Sequence, residues 1–418
     1  MSRTSPNRIV IAGVGLISPI GHSAWQTFRA LLDGITLTDR ADQLAETINP
    51  IDLVRAVGSV SIVQHGATDP VVELAERAAR EALREAEVEP LGLPVMFGNS
   101  KGAVYALACA QAKCGHVRLG QLLATPVEPR PPDDAHLAVA LGPHAYVAHH
   151  LAKRLGLAPV RCVVAACASS LAALHQARIM MTDPLGRDAP QHMLVVTSEA
   201  PLLPALIHSY ARLGVLPPLK RDQYRAKPLD VHRCGFTVSQ IGAAVVLKAV
   251  ERPQSGQIEL VDTAVATEAY DLVRPSPCMS ALQHVAGRML RNRTIDVLHP
   301  HATGTFENDA DELNVYANVL ARRDGVDRTG APDIYAVKGA LGHGLGAAGL
   351  VSVVISSLCA KANRRPPMPW LDVPIQSSGG HRLQPSRNSD SSSSRLATHA
   401  IFASGFAGHV AGAVIRKT

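Results

Sequence analysis

Apolar residues along the chain follow two spacings, which distinguish buried strands from amphipathic helices. Short β-branched runs predict strands at 9–14, 93–97, 163–164, 193–197, 245–250, 297–298 and 398–402. Apolar positions three and four residues apart predict helices at 25–32, 70–84 and 145–155. Ser23 and Asp69 are suitable N-caps for the first two helices, and Pro70 suits a first helical position. The pattern is that of a protein built from both strands and helices.

Three segments lack these spacings and are predicted to be loops or breaks. The proline-rich segment 120–141 is expected to be a long surface loop. The segment 376–395 is rich in serine and cannot bury a core, so it is expected to be a mobile surface loop. The polar stretch 251–256 predicts a boundary between two halves, which we set at 1–252 and 253–418.

Cys167 is the first candidate for chemistry. It follows a short apolar run and opens a helix of very small residues. The unpaired N–H groups and the dipole at a helix start stabilise an anion, so this position is expected to lower the pKa of the thiol. A buried structural cysteine is the alternative. A nucleophilic role for Cys167 therefore needs a base elsewhere in the chain.

Two histidines are candidates for that base. His301 begins a polar turn after the apolar run at 297–298, and His343 lies in a glycine-rich turn before a second helix of small residues. Either histidine alone is more often a polar residue with a structural partner. Together with Cys167 they form a set that points to nucleophilic catalysis. Because small residues let backbones approach closely, the helices after Cys167 and His343 are expected to pack at the protein centre.

The composition is that of a globular enzyme with room for two cores. The 418 residues are 47% hydrophobic and 18% charged, with a formal net charge of +6. No uninterrupted apolar run approaches the roughly 20 residues that cross a bilayer, and the N-terminus lacks the apolar core of a signal peptide. We therefore expect a cytoplasmic protein without a membrane span. The basic residues do not alternate with aromatic ones, which argues against nucleic-acid binding.

The seven cysteines are odd in number and scattered, which favours reduced thiols over a disulfide framework. Cys109, Cys114 and His116 form the one cluster of metal-binding residue types. This cluster lacks a Cys-x-x-Cys pair, so no metal site is expected there.

Five motifs together resemble a known family. They are the strand and turn at 8–21, Ala-Cys-Ala-Ser-Ser at Cys167, His-Ala-Thr-Gly-Thr at His301 with the downstream Asp309 and Glu312, Lys338 five residues before His343, and Gly-Phe-Ala-Gly at 405–408. In this order they resemble the β-ketoacyl-acyl-carrier-protein synthases of the thiolase superfamily, in particular the elongating type with a Cys-His-His triad. The resemblance runs from about residue 8 to the end. It implies an α/β, thiolase-like fold with two similar halves in stacked α-β-α-β-α layers.

The resemblance also implies an activity, which is the decarboxylative condensation of an acyl-enzyme with a malonyl-carrier thioester in fatty acid or polyketide-like synthesis. The substrates arrive on phosphopantetheine, and no cofactor is expected. An acyl carrier protein is the implied partner, and the implied assembly is a homodimer with a heterodimer as the alternative. The implied catalytic residues are Cys167, His301, His343 and Lys338, with the N–H groups of Cys167 and Phe406 as oxyanion donors and Phe406 as a gate. Thr303 and Thr305 would bind the pantetheine arm, while Asp309 and Glu312 would support the polar network.

Four positions depart from the family pattern. Leu229 and Ser404 stand where phenylalanine is usual, Gln240 replaces a glutamate, and His409 lies where the glycine loop usually has threonine. The loss of bulky side chains is expected to alter the acyl pocket or its opening. A specialised synthase is therefore one reading of the sequence.

Two other functions remain open at this point. A non-catalytic partner subunit of a heterodimeric ketosynthase would resemble the fold without the nucleophile, whereas this chain keeps Cys167. A thiolase that uses coenzyme A is expected to carry a second cysteine near the C-terminal glycine loop, and no cysteine follows Cys359. Basic residues that could bind an acidic carrier protein are Arg118, Arg130, Arg212, Lys220, Arg221 and Arg225.

Overall fold

The computed structural model describes residues 8–39, 55, 57–60, 69–114, 134–183, 189–217, 226–322, 331–378, 382–388 and 396–418. The strands are β1 (Arg8–Ile17), β2 (Val95–Gly98), β3 (Arg161–Val163), β4 (His192–Glu199), β5 (Ile241–Val250), β6 (Ile258–Thr267), β7 (Val297–His299), β8 (Asp333–Ile334), β9 (Thr398–Gly405) and β10 (His409–Lys417). The helices are α1 (Ala24–Leu32), α2 (Pro70–Ala86), α3 (Val104–Cys114), α4 (His136–Ala140), α5 (Pro143–Leu155), α6 (Ser169–Thr182), α7 (Pro204–Arg212), α8 (Ser280–Leu290), α9 (Asp309–Ala321), α10 (Lys338–Leu341) and α11 (Ala348–Ala362).

The strands form two five-stranded units with the same internal order. The first unit runs β3-β2-β4-β5-β1, and the second runs β8-β7-β9-β10-β6. Numbered within its own half, each unit has the order 3-2-4-5-1. The parallel and antiparallel pairings also correspond, since β2 is parallel to β3 and β4, and β7 is parallel to β8 and β9. The chain therefore folds the same topology twice.

The two units meet along their first strands. β1 and β6 pair antiparallel at only two positions, Val10 with Glu259 and Ile11 with Ile258. β5 ends at Val250 and β6 begins at Ile258, so the change of unit falls on the polar stretch at 251–256. The predicted division into 1–252 and 253–418 lies within this connection.

Helices cover both faces of each unit, which explains the nearly continuous apolar runs of the strands. α2 packs on β1, β4 and β5 from outside, and α8 packs on β6 and β10 from outside. α6 and α11 lie between the two units, where each contacts strands of both. The result is a stack of five α-β-α-β-α layers, as the resemblance implied.

The two central helices touch through small residues, as the sequence predicted. A Cβ on Gly349 of α11 would lie 2.5 Å from Cγ of Leu171 on α6. The N–H of Leu350 donates to the hydroxyl of Ser170 at 3.0 Å. This close contact holds the segments that precede the two helices, which contain Cys167 and His343, against each other.

Several predicted helices and strands are confirmed, and some of them extend a few residues beyond the predicted range. Ser23 accepts a hydrogen bond from Gln26 at the start of α1, and Asp69 accepts one from Val71 at the start of α2. The predicted loop at 120–141 is wrong at its C-terminal end, because α4 lies within it. The rest of that segment up to residue 133 lies outside the described residues, as do 379–381 and 389–395 of the serine-rich run. The expectation that this run buries no core residue is wrong at Leu383, which is fully buried against the core.

One segment within the described ranges is long and apolar enough to cross a membrane, namely Leu345–Ala362. In the folded chain 89% of that segment is buried inside the protein. It forms α11 and the short 3-10 turn before it, so its apolar surface is covered by the two sheets. The segment is therefore a core helix of this fold.

A buried histidine pair makes the stability of the second unit depend on pH. His299 Nε2 and His399 Nδ1 lie 3.0 Å apart on neighbouring strands, and both rings are fully enclosed. Burial lowers the pKa of His399 from 6.5 to about 4. The pKa of His299 is also lowered, first by burial and then by His399 and Arg365. Both rings are therefore neutral in the folded protein at pH 7.

We expect the free energy of unfolding to fall when the pH is lowered from 7.5 to 5. In this window His299 and His399 bind protons in the unfolded chain but not in the folded chain, so their contribution to stability is complete above pH 6.5 and decreases towards pH 4. His399 alone should contribute roughly 2 kcal/mol of this loss at pH 5. Urea unfolding at both pH values measures the loss, and His399→Gln should reduce the difference between them. Equal stability at the two pH values would contradict the expectation.

Candidate active site

The turn that carries Cys167 lies between β3 and α6. Ala166 adopts a left-handed backbone conformation with φ of 47°, which brings the next residue out of the line of the strand. The hydroxyl of Ser169 accepts from the N–H of Ala165 at 2.9 Å and donates to the carbonyl of Ala166 at 2.6 Å. These bonds fix the turn. The half-buried Cys167 side chain lines a cavity.

His301 lies in the turn after β7, and the carboxylate of Glu312 fixes that turn. Its two oxygens accept from the backbone N–H groups of His301 at 2.6 Å and Ala302 at 2.8 Å. Ala302 has a φ of 36°, so the backbone reverses sharply at this point. The ammonium of Lys338 donates to the carbonyl of His301. The imidazole is thus positioned by two charged residues that hold its backbone.

His343 lies in the turn between α10 and the 3-10 helix Leu345–Ala347. Its N–H donates to the carbonyl of Thr237 at 2.6 Å, and its carbonyl accepts from the N–H of Ser239 at 3.2 Å. The ring of Phe236 packs edge-on against the imidazole, with centroids 4.7 Å apart. The imidazoles of His343 and His301 are neighbours, with centroids 5.5 Å apart and planes inclined by 76°.

Cys167, His301 and His343 line one cavity of about 160 Å³. Thr303 and Thr305 line the same cavity, and their hydroxyls lie 2.9 Å apart. The remaining walls come from the end of α7 and its following turn, the segment 268–282, and the C-terminal loop at 404–410. The fold therefore brings together the cysteine, both histidines and both threonines that the sequence singled out.

The C-terminal loop lies directly against the turn of the cysteine. A Cβ on Gly405 would lie 2.8 Å from the backbone nitrogen of Cys167, so no larger residue fits there without displacement. Phe406 follows, lines the cavity and packs against the apolar cluster around Tyr210 and Phe236. In the described part of the chain, the N–H groups of Cys167 and Phe406 donate to no backbone carbonyl. Both residues line the cavity, so these two N–H groups are the candidate oxyanion donors.

Burial dominates the protonation of this site. It raises the pKa of Cys167 to about 11, while Lys338 and Lys101 oppose the increase. The prediction that the helix start lowers the pKa of this thiol is therefore wrong, because desolvation of the thiolate outweighs the nearby positive charge. Burial also holds the pKa values of His301 and His343 well below 6.5, with Lys338 adding to both effects. At neutral pH the site contains a thiol and two neutral imidazoles.

Lys338 and Asp309 complete the enclosed polar network. Burial lowers the pKa of Lys338 to about 8, against the opposing charges of Glu312, Cys167 and Asp309. Asp309 accepts from the N–H groups of Leu229 at 2.8 Å and Gly304 at 3.0 Å. Burial raises the pKa of Asp309 to about 6. The carboxylates thus hold the loops around His301 by backbone hydrogen bonds.

Replacing Glu312 with Ala should cost roughly 3–5 kcal/mol of stability. Besides the two backbone N–H groups, this carboxylate accepts from the Tyr316 hydroxyl at 2.6 Å and from the Asn308 amide at 3.0 Å. The substitution leaves the two backbone N–H groups and the Tyr316 hydroxyl without their acceptor in a buried region. Urea unfolding measures the loss, with Asp311→Ala as the matched control because Asp311 is exposed on the same helix. If both variants are equally stable, the network does not hold the turn.

Sequence reasoning missed two polar residues of the site, Glu199 and Tyr210. Glu199 ends β4 and accepts from the backbone N–H groups of Ser100 at 2.6 Å and Gly346 at 3.2 Å. Burial raises its pKa to about 7. It thereby ties the loop after β2 to the turn after His343. The sequence contains a signal for Glu199, because a charged residue at the end of a buried strand is unusual.

The four departures have distinct environments. Leu229 has a φ of 68°, and its N–H donates to Asp309. Gln240 accepts from the N–H of Val60 at 3.1 Å, a contact that needs no charge. Ser404 lines the cavity, and His409 contacts the Thr267 hydroxyl at 3.2 Å. Of the four, only Ser404 faces the space that contains Cys167.

The structure gives no group of three or more metal-ligating side chains among its described residues. Cys109 is buried in α3, whereas the side chain of Cys114 and all of His116 lie outside those residues.

Comparison with known proteins gives two family matches that together cover most of the chain. The profile of the β-ketoacyl synthase N-terminal domain matches residues 6–252, and that of the C-terminal domain matches residues 258–371. The 3-oxoacyl-[acyl-carrier-protein] synthase 2 of Mycobacterium leprae is 24% identical, over 87% of this chain and 86% of the relative. A putative polyketide beta-ketoacyl synthase 1 of Streptomyces halstedii is also 24% identical, over 88% and 89%.

Solved structures show the same fold. A type II polyketide acyl carrier protein complex with its ketosynthase bound to the hexaketide matches with a TM-score of 0.71 and 20% identity, over 99% of this chain and 100% of that chain. The ishigamide ketosynthase/chain length factor matches with a TM-score of 0.67 and 19% identity, over 99% and 100%. The two-unit sheet and the central helices are therefore those of the thiolase-like fold.

Proposed function

The chain belongs to the β-ketoacyl synthase family, and we propose that it joins an acyl group on Cys167 to a malonyl-carrier thioester with loss of carbon dioxide. The observation that supports this most directly is the shared cavity of Cys167, His301 and His343. The enzyme is an acyltransferase that forms a carbon–carbon bond. The steps below use side chains of this chain and thioesters carried on phosphopantetheine.

Acyl transfer comes first. Because burial raises the pKa of Cys167, the thiol must give its proton to one of the two neutral imidazoles as it attacks the thioester carbonyl. The oxyanion of the tetrahedral intermediate would accept from the N–H groups of Cys167 and Phe406, which have no backbone acceptor in the described chain. The carrier thiolate leaves and takes the proton, and the acyl group remains on Cys167.

Condensation follows in the same cavity. When the malonyl thioester loses carbon dioxide, the bonding electrons form an enolate whose oxygen needs hydrogen-bond donors. Two neutral imidazoles can each donate one N–H, and the depressed pKa values of His301 and His343 keep them neutral. The enolate carbon attacks the acyl-Cys167 carbonyl, the Cys167 thiolate leaves, and it takes up one proton from solvent because its original proton left with the first carrier thiol.

The remaining predicted residues have supporting roles in this proposal. Thr303 and Thr305 would hydrogen-bond the pantetheine arm, since their hydroxyls line the cavity. Lys338, Asp309 and Glu312 would keep the His301 turn in place through their contacts with its backbone. Phe406 would act as a gate, because its half-buried ring lies between the cavity and the apolar cluster.

An acyl carrier protein is the proposed partner. The structure neighbour bound to the hexaketide is described as a complex of such a carrier with its ketosynthase. Of the basic candidates, Arg212 is exposed in the last turn of α7, next to the residues that line the cavity. Arg118, Arg130, Lys220, Arg221 and Arg225 lie outside the described residues.

We further propose a homodimer in the cytoplasm. β3 is the edge strand of its unit, and Val164 beside it is 54% exposed next to the Cys167 turn. The backbone of an exposed edge strand can pair with another chain, and a second copy could provide that partner. Sedimentation equilibrium tests this assembly, and a monomer at micromolar concentration would contradict it.

The activity is tested with purified protein, hexanoyl-carrier and malonyl-carrier. We expect a hexanoyl adduct on the protein, followed by carbon dioxide release and formation of the β-ketoacyl-carrier. A protein that binds the carrier without either product would instead be a non-catalytic partner subunit.

A further inference from the structure

Tyr210 has a hydroxyl that the proposed mechanism does not use. It lies in α7, lines the cavity together with Cys167, and is only 6% exposed. In the described part of the chain this hydroxyl has no hydrogen-bond partner. It is also not among the polar atoms that are sealed inside the protein, so it remains accessible from the cavity.

The surroundings of that hydroxyl are apolar. The Tyr210 ring packs edge-on against Phe236 at a centroid distance of 6.1 Å and belongs to a cluster with Leu202, Ile207 and Leu345. Leu213 and Val215 extend the same wall of the cavity. A phenylalanine would fill this position equally well, so packing alone does not explain the oxygen.

Tyr210 can act only as a neutral donor or acceptor. Burial raises its pKa well above 10, and the charges of Cys167 and Glu199 raise it further. The phenol therefore keeps its proton at neutral pH. Because Tyr210 lines the cavity, an oxygen atom of the substrate can replace water as the hydrogen-bond partner of its hydroxyl.

We propose that Tyr210 selects acyl groups that carry a keto or hydroxyl oxygen, which accepts a hydrogen bond from the phenol while the acyl group is transferred to Cys167. The inference rests on the proposed function, because it concerns the acyl group that occupies this cavity. It names the substrate class as oxygenated acyl chains rather than fully reduced ones. A site built to hydrogen-bond an oxygen discriminates against the analogue that lacks it, because its own polar group is then left without a partner.

Competition between two acyl donors tests this selection. The protein is given equal amounts of hexanoyl-pantetheine and an oxohexanoyl-pantetheine whose keto group lies one carbon from the chain end. Intact-protein mass spectrometry then gives the ratio of the two adducts. We expect the wild-type protein to favour the oxygenated group, and Tyr210→Phe to reduce this preference roughly tenfold.

Tyr335→Phe is the matched control. Tyr335 is also buried with an unpartnered hydroxyl, but it does not line the cavity. Its removal should leave the adduct ratio unchanged. A wild-type protein without preference, or a Tyr210→Phe protein with the wild-type ratio, would overturn the inference while leaving the proposed function intact. Absence of any adduct in the wild type would overturn both.

Discussion

Replacing Cys167 with Ala should abolish the acyl-enzyme and lower condensation by at least about a thousandfold. No other thiol lies in the cavity beside two imidazoles, among the residues that the structure describes. Because Cys167 is half-buried in a turn held by Ser169, removal of its sulfur should leave folding nearly unchanged. Intact-protein mass spectrometry after incubation with acyl-carrier measures the adduct, and thermal unfolding checks the fold.

Cys162→Ala is the matched control for this prediction. Cys162 is an exposed thiol on β3, five residues before Cys167, and it does not line the cavity. Its replacement should leave both adduct formation and condensation at the wild-type level. An acyl adduct that persists in the Cys167→Ala protein at the wild-type rate would show that another residue is the nucleophile.

The strands and the helix caps could be predicted from the sequence because interactions between residues close in sequence determine them. Ser23 and Asp69 cap their helices through hydrogen bonds to nearby N–H groups, so short-range sequence was sufficient. The internal repeat was much harder to see. The two units share the strand order 3-2-4-5-1 without visible sequence periodicity, because burial requires only apolar residues and not particular ones.

The repeat also explains where the site residues lie. Cys167 follows β3, the third strand of the first unit, and His343 follows β8, the third strand of the second unit. His301 follows β7, the second strand of that unit. The central helices α6 and α11 then bring these strand ends together at one cavity. The sequence motifs were sufficient to single out Cys167, His301 and His343. That the three side chains line one cavity depends on how the two units stack, which the motifs do not show.

The protonation state of Cys167 could not be read from its position in the chain. A helix start favours a thiolate, but the enclosing layers remove water from the sulfur, and that desolvation is the larger effect. Glu199 and Tyr210 were missed for a related reason. Each lies more than thirty residues from Cys167 in sequence, and only the packed layers bring them to the same site.

Replacing His343 or His301 with Ala should slow decarboxylation of the malonyl thioester by roughly a hundredfold or more, and acyl transfer by less. Either imidazole can accept the proton of the Cys167 thiol, whereas the enolate oxygen gains from both N–H donors at once. The two rings lie side by side with centroids 5.5 Å apart, which suits donation to one oxygen. Single-turnover assays that follow adduct formation and carbon dioxide release separate the two steps.

A substitution that keeps an N–H group distinguishes hydrogen-bond donation by His343 from a role of its side chain in packing alone. His343→Gln keeps an N–H donor in a similar place and should recover part of the decarboxylation rate, whereas His343→Ala should not. His208→Ala serves as the control, because His208 is exposed on α7 and does not line the cavity. An equal loss of both steps in the His343 and His301 variants would mean that these residues act mainly as bases for Cys167.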